Sequence, residues 1–139
     1  MFMGVAREAA DTSSALSRYP ISEPMHNLNA PDNMGILSLL TRSQAFGLFV
    51  PELVQLMRDG DVDNGMIMDV VRSAWADSVD AADEAYRPGE FTTFAAYEYT
   101  SSTVTRGNLH RNVIFQGTNK LPAVPFSRLN SRNPEGLWD

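Results

Sequence analysis

The strongest pattern in the chain is a helical one. Between about Gly65 and Tyr86, apolar residues Ile67, Val71, Ala74, Trp75, Ala82 and Tyr86 recur at three- and four-residue spacing. They form one stripe on a 3.6-residue period. Asp69, Asp77, Asp80, Asp83 and Glu84 fall largely elsewhere around the same helix, on its solvated side. Asp63 or Asn64 is placed to cap its start, and Pro88-Gly89 to stop it. Trp75 on this stripe is read as a core residue, and the helix as scaffold.

Upstream the pattern is more broken. Residues 11–33, with Pro20, Pro24, Pro31 and Asp32-Asn33, are dense in turn formers and read as irregular loop. Asp32 or Asn33 could cap a helix through Ile36, Leu37, Leu39 and Leu40 to about Arg42. The segment from Ser43 to Met57 contains Pro51, which removes an amide donor and crowds the preceding turn. It therefore reads as two short helices or one kinked helix, closed by Asp59-Gly60-Asp61.

Downstream the period changes from 3.6 to 2. Residues 91–99, rich in aromatics and threonine after Pro-Gly, read as a strand, and Leu109 to Gln116 as a second. A polar loop from Thr100 to Asn108 joins them. Pro122, Pro125, Ser127 and Asn130 mark an extended connector, and Asn133-Pro134-Glu135 opens a further helix. A helix start so close to Asp139 leads us to expect a truncated chain. The fold class that emerges is α/β: a helical N-terminal half (1–87) followed by a hairpin and connector (88–139).

Composition narrows the classes of function. With 139 residues, 43% apolar, the chain can build a packed core. The absence of Cys excludes disulfides, thiolate metal sites and a cysteine nucleophile. A net charge of −6 argues against nucleic acid as the main partner. No apolar run is long enough to span a bilayer, so no membrane partner is expected. The first residues carry neither a basic leader nor a long apolar stretch, so no signal peptide is expected. Residues 58–90 hold nine acidic against three basic groups, whereas residues 91–139 hold five basic against three acidic. That mildly basic last third leaves room for an anionic ligand.

The chemistry available there depends on register. An antiparallel hairpin with Glu98 opposite His110 pairs Ala96 with Asn112 and Phe94 with Ile114 on one face. It pairs Tyr97 with Arg111, Ala95 with Val113 and Thr93 with Phe115 on the other. Both faces then carry bulk, as in a strand pair covered on two sides. Directly opposed β-carbons lie about 4.5–5.5 Å apart, so Glu98 and His110 could share a metal ion. The same spacing also fits a plain Glu–His hydrogen bond at a hairpin mouth. His26, in the proline-rich loop, reads as a surface histidine, and Arg111 as a cross-strand partner of Tyr97. No Ser-His-Asp spacing or glycine-rich phosphate loop is present.

Three stretches together resemble a known family. They are the run from Pro88-Gly89 through Tyr97-Glu98-Tyr99 to Ser101, then Asn108-Leu-His-Arg-Asn-Val-Ile-Phe115, then Pro125-Phe-Ser with Ser131-Arg-Asn-Pro-Glu-Gly-Leu-Trp138. They closely resemble the large bacterial family called domain of unknown function 3604. That family looks like a branch of the polymerase-and-histidinol-phosphatase (PHP) superfamily of metal-dependent phosphoesterases. Over residues 1–87 the resemblance is looser, resting on Gly4-Val-Ala-Arg7, Asp11 and Leu16-Ser17.

The resemblance implies a distorted α/β barrel with metal ions at the C-terminal ends of its strands. Glu98 matches the glutamate that bridges two metals, and His110 the histidine that ligates one. The implied cofactors are divalent ions, whether zinc, manganese or iron, in a longer parent, bound weakly or not at all by this fragment. Arg111 and Asn108 are the implied contacts to a small anionic or phosphorylated substrate. The family's remaining ligands, a His-x-His, a Thr-Asp-His and later Asp-x-His motifs, are not in this sequence, and members are several times longer. The chain is accordingly expected to be an internal fragment of a metal-dependent hydrolase, inactive alone and prone to self-association. The alternative is a non-catalytic binding or truncated module.

Overall fold

The computed structural model describes residues 2–26, 36–102, 108–127, 130 and 134–137. Three helices come first: α1 (Phe2–Ala10), α2 (Ile36–Asp59) and α3 (Asn64–Ala85). Two antiparallel strands follow, β1 (Ala96–Ser102) and β2 (Asn108–Ile114), then a short 3-10 turn at Pro134–Leu137. The chain divides into two compact units, Phe2–Val71 and Arg72–Asp139, so the boundary runs through α3.

In the first unit, α1 buries Val5, Ala6 and Ala9 while Arg7 stays exposed. Nine residues are too few for a helix to hold in water alone, so this one depends on packing. Residues 11–26, expected to be irregular, contain 3-10 turns at Leu16–Arg18 and Pro20–Met25. Short backbone bonds wind them: Tyr19 N–H to the Leu16 carbonyl, Ser22 N–H to Tyr19 and His26 N–H to Glu23. Ser22, fully buried, donates its hydroxyl to the Leu16 carbonyl at 2.8 Å, which keeps a polar group satisfied among Leu16, Ile21 and Met25.

α2 runs as one helix through Pro51. A mid-helix proline costs about 3 kcal/mol. Burial of Phe49 and Leu53 on either side offsets it, at about 1.5–3 kcal/mol each. α2 ends as its sequence suggested: Gly60 adopts φ +81°, and Asp61 N–H returns to the Leu56 carbonyl at 3.0 Å. This is the six-to-one bond of a Schellman motif. The expected cap at Asp32 or Asn33 lies outside the described residues, as does the one at Asn133.

Asp63 caps α3, its Oδ1 accepting from Gly65 N–H at 2.8 Å and Met66 N–H at 3.2 Å. Ile67, Val71 and Trp75 on the stripe are buried, but Tyr86 is 46% exposed because the helix ends one residue before it. Pro88-Gly89 then turns the chain. Gly89 has φ +81°, Glu90 N–H bonds the Arg87 carbonyl at 2.9 Å, and Arg87 and Phe91 exchange backbone hydrogen bonds. Proline second and a positive-φ glycine third are the pattern of a type II turn.

The hairpin is present, with two corrections to the expected pairing. β1 starts at Ala96 rather than residue 91, and extends to Ser102. Thr93 donates its hydroxyl to the Ala82 carbonyl at 2.6 Å, tying the preceding segment to α3 instead of the sheet. The register is also displaced by two residues. Glu98 opposes Asn112, Tyr97 opposes Val113, Tyr99 opposes Arg111, and Thr100, not Glu98, opposes His110. Phe115 N–H reaches the Ala95 carbonyl at 3.0 Å, continuing that register. A two-residue displacement keeps every side chain on its own face. It also brings Tyr97 and Phe115 together at 6.2 Å between ring centroids, and both onto Trp75 at 6.0 and 6.2 Å.

The core of the second unit lies on that aromatic face. Trp75 also donates its indole N–H to the Pro122 carbonyl at 3.0 Å, which pins the connector. The opposite face, expected to be covered, is open: Ala96, Glu98, His110, Asn112 and Ile114 are all exposed.

Candidate functional site

Strand alternation places Ala96, Glu98, Thr100, His110, Asn112 and Ile114 on the open face of the hairpin. Within it, three side chains touch. His110 Nδ1 lies 2.9 Å from Glu98 Oε1. Thr100 Oγ1 donates to the same Glu98 oxygen at 3.1 Å and lies 3.0 Å from His110 Nδ1. The register explains the triangle. Thr100 faces His110 directly across the pair and Glu98 sits two residues along the same strand, so Glu98 reaches His110 diagonally.

The expected Glu98–His110 association is thus present, although the two are not directly opposed. Thr100 is the member that sequence reading assigned to a loop. The signal for it was its position two residues beyond Glu98, on the same strand face, once β1 is allowed to continue through Ser102.

Arg111 falls on the other face, opposite Tyr99 rather than Tyr97. Its side chain is exposed, and Nη1 donates to the His110 carbonyl at 3.1 Å. Asn108 begins β2 opposite Ser102. His26 is half-buried rather than a free surface group, with Nε2 3.0 Å from the Ser17 carbonyl.

The side chains of His110 and Glu98 are 54% and 56% exposed, so water screens their mutual attraction. Exposure weakens the pair as a structural tie and leaves it accessible to a ligand. A carboxylate oxygen and an imidazole nitrogen are both ordinary donors to zinc or manganese, so the residue types fit a divalent ion. In number they fall short. Among the described residues, no group of three or more His, Asp or Glu side chains could hold a metal. Glu98 and His110 therefore fit as two donors of a centre rather than as a whole one.

Other classes of site find less support. No helix among the described residues is long and apolar enough to cross a membrane. The acidic side chains of α3 bring no histidine with them.

Comparison with known proteins gives a family and no activity. No curated protein and no solved structure matches the chain. A family model described as protein of unknown function (DUF3604) matches residues 1–139, the length of the sequence. The chain therefore belongs to the DUF3604 family, and its open hairpin face is that of a member of this family.

Proposed function

We propose that the chain is part of a metal-dependent hydrolase of the phosphoesterase type, and that Glu98 and His110 are two of the ligands of its metal centre. The observation that carries this reading is the 2.9 Å approach of His110 Nδ1 to Glu98 Oε1 on an exposed strand face.

The parent, on this reading, is a distorted PHP-like barrel, and the chain is an internal piece of it. The sequence holds two histidines, and His26 is engaged with the Ser17 carbonyl. The further nitrogen ligands of such a centre then come from elsewhere in the parent. A bound divalent ion supplies water acidified toward neutral pH and positive charge against phosphoryl oxygens. Glu98 provides the negative charge that holds the ion, and His110 a neutral nitrogen donor. Asn108, on the strand face of Glu98 and His110, contacts the anionic group of a small phosphorylated substrate, whereas Arg111, on the opposite face with its guanidinium donating to the His110 carbonyl, stands apart from that contact.

For the chain by itself we propose no turnover, because two donors fall below the three of a catalytic zinc site. As an isolated piece it also self-associates, through the open edges of a two-stranded sheet.

Equilibrium dialysis against zinc and manganese tests the ligand assignment. The chain should take up metal weakly, lose it on dialysis and leave an activated phosphoester unhydrolysed. In the full-length parent, Glu98→Gln and His110→Ala should each lower metal per chain and cut hydrolysis, while Asp80→Asn on α3 should do neither. Normal metal content and activity in both parent variants would return the pair to a surface hydrogen bond.

A further inference from the structure

The Thr100–Glu98–His110 triangle contains more contacts than protons, and counting the protons determines which ring nitrogen is free when the imidazole is neutral. An ionised carboxylate only accepts, so the 2.9 Å contact between Glu98 Oε1 and His110 Nδ1 requires a proton on Nδ1. Were Nδ1 bare, two lone pairs would face each other at that distance. The Thr100 hydroxyl has one proton, and it points to Glu98 Oε1 at 3.1 Å. Thr100 Oγ1 then meets His110 Nδ1 at 3.0 Å as an acceptor, so the Nδ1–H is shared between the threonine and carboxylate oxygens. Each of the three contacts is satisfied by these two protons in one arrangement only.

We propose that Thr100 and Glu98 clamp His110 in the tautomer with its proton on Nδ1, so that Nε2 turns a bare lone pair outward as the donor atom for a divalent metal ion. The ion itself rests on the hydrolase reading above; the clamp does not. Thr100 is a positioning residue here. It touches no ligand and acts through the orientation of the imidazole and of the carboxylate beside it. A metal-binding histidine whose other ring nitrogen is held by a carboxylate is a recurrent arrangement, because the second contact fixes both tautomer and ring orientation. Glu98 consequently serves His110 through Oε1, and because Nε2 lies across the ring from that contact, any ion taken by the second Glu98 oxygen is a different one from the ion on Nε2.

The chain carries its own internal reference. His26 places Nε2, not Nδ1, 3.0 Å from the Ser17 carbonyl. A carbonyl only accepts, so the proton of His26 sits on Nε2. The two histidines of the sequence are therefore held in opposite tautomers, and one spectrum reads both.

The experiment is a long-range proton–nitrogen NMR spectrum of the imidazole rings in the full 139-residue chain. It is recorded first in metal-free alkaline buffer and then during titration with zinc chloride. Without metal, His110 should show the Nδ1–H pattern and His26 the Nε2–H pattern. Thr100→Val, which keeps the branched shape but removes the hydroxyl, should shift His110 toward the Nε2–H form, and Glu98→Gln should do so more strongly. Thr100→Ser should restore the wild-type pattern, and His26 should be unmoved throughout.

On titration, zinc should shift Nε2 of His110 and leave the Nδ1 proton in place, with affinity about tenfold weaker in Thr100→Val. A His110 that is Nε2–H in the wild type, or unchanged in both Thr100→Val and Glu98→Gln, would overturn the clamp. Zinc on Nδ1 would overturn the donor assignment. An intact clamp with no zinc shift at millimolar metal would overturn Nε2 as a metal donor in this chain and leave the tautomer assignment standing; the hydrolase reading is tested separately by metal content and activity of the parent variants.

Discussion

The two faces of the hairpin are made from the same fourteen strand residues, yet they have opposite fates. On one, Tyr97 and Tyr99 turn toward aromatic partners: Trp75 meets Tyr97 edge-on at 87°, and Tyr99 lies 6.1 Å from Phe126. Tyr99 is 2% exposed. On the other, Ile114 is 62% exposed and the polar triangle of Glu98, Thr100 and His110 faces water. Period-two alternation lets one short sheet be core and site at once. The packed face carries the stability, while the open face is relieved of it and can hold groups chosen for chemistry. A lone two-stranded hairpin is marginal in water, so the packed face is what makes the open one possible.

The sharpest way to break this contrast is to cut one side chain from each face. Trp75→Ala removes the ring that Tyr97 and Phe115 lean on and the indole donor to Pro122. It should cost about 3–5 kcal/mol, a large share of the stability of an ordinary domain. Ile114→Thr on the open face should change stability by no more than about 0.5 kcal/mol. Urea denaturation of the two variants measures both. Comparable losses would mean that the open face is packed in solution and that the contrast between faces is false.

The same contrast explains what could be read from sequence and what could not. The α3 stripe was legible because Ile67, Val71 and Trp75 obey one period over several turns, and Asp63 and Pro88-Gly89 carry local signals that need no tertiary context. Its last residue, Tyr86, failed because periodicity does not mark the point where a helix stops. α1 was not legible: Gly4, Val5, Ala6 and Ala9 are small, the helix is nine residues long, and its stability comes from packing. The 3-10 turns read as loop because Ser, Pro and Tyr there are turn formers whose backbone bonds sequence does not display.

For the site, alternation determined the face and left the register open by steps of two. Glu98 and His110 were therefore found on one side, but paired with the wrong neighbours. Thr100 was hidden because a run of threonine and serine reads equally well as strand or loop. The metal-ligand role proposed for Glu98 and His110 rests on resemblance, since a carboxylate and an imidazole twelve residues apart have too many uses for spacing to choose among them.

A smaller effect should come from inside the packed face. The Tyr99 hydroxyl is buried and has no hydrogen-bond partner among the described residues. Burying a hydroxyl without a partner costs about 1–3 kcal/mol. Tyr99→Phe removes the hydroxyl and keeps the ring against Phe126. It should raise stability by about 1 kcal/mol, seen as a melting temperature a few degrees higher. A lower melting temperature would show that the hydroxyl does find a partner, and the packed face would then contain a polar tie rather than a defect.

The smallest effect separates the two tyrosines of that face by pH. Burial pushes the Tyr97 phenol above the usual tyrosine range, helped by neighbouring Tyr99 and partly countered by a hydrogen bond from the Phe126 backbone. A raised folded-state value means that the native state holds this proton after the unfolded chain has released it. The contribution is fully present below the ordinary tyrosine value of about 10, and is lost as pH rises through the higher folded value. Thermal melts in alkaline buffers should therefore show stability falling above about pH 10, and Tyr97→Phe should flatten that fall by removing the titrating group. The phenol is only half-buried, so the flattening should be modest beside the loss in Trp75→Ala. An alkaline fall as steep in Tyr97→Phe as in the wild type would place the responsible group elsewhere, and would mean that Tyr97 is wetter than the packing of its ring against Trp75 requires.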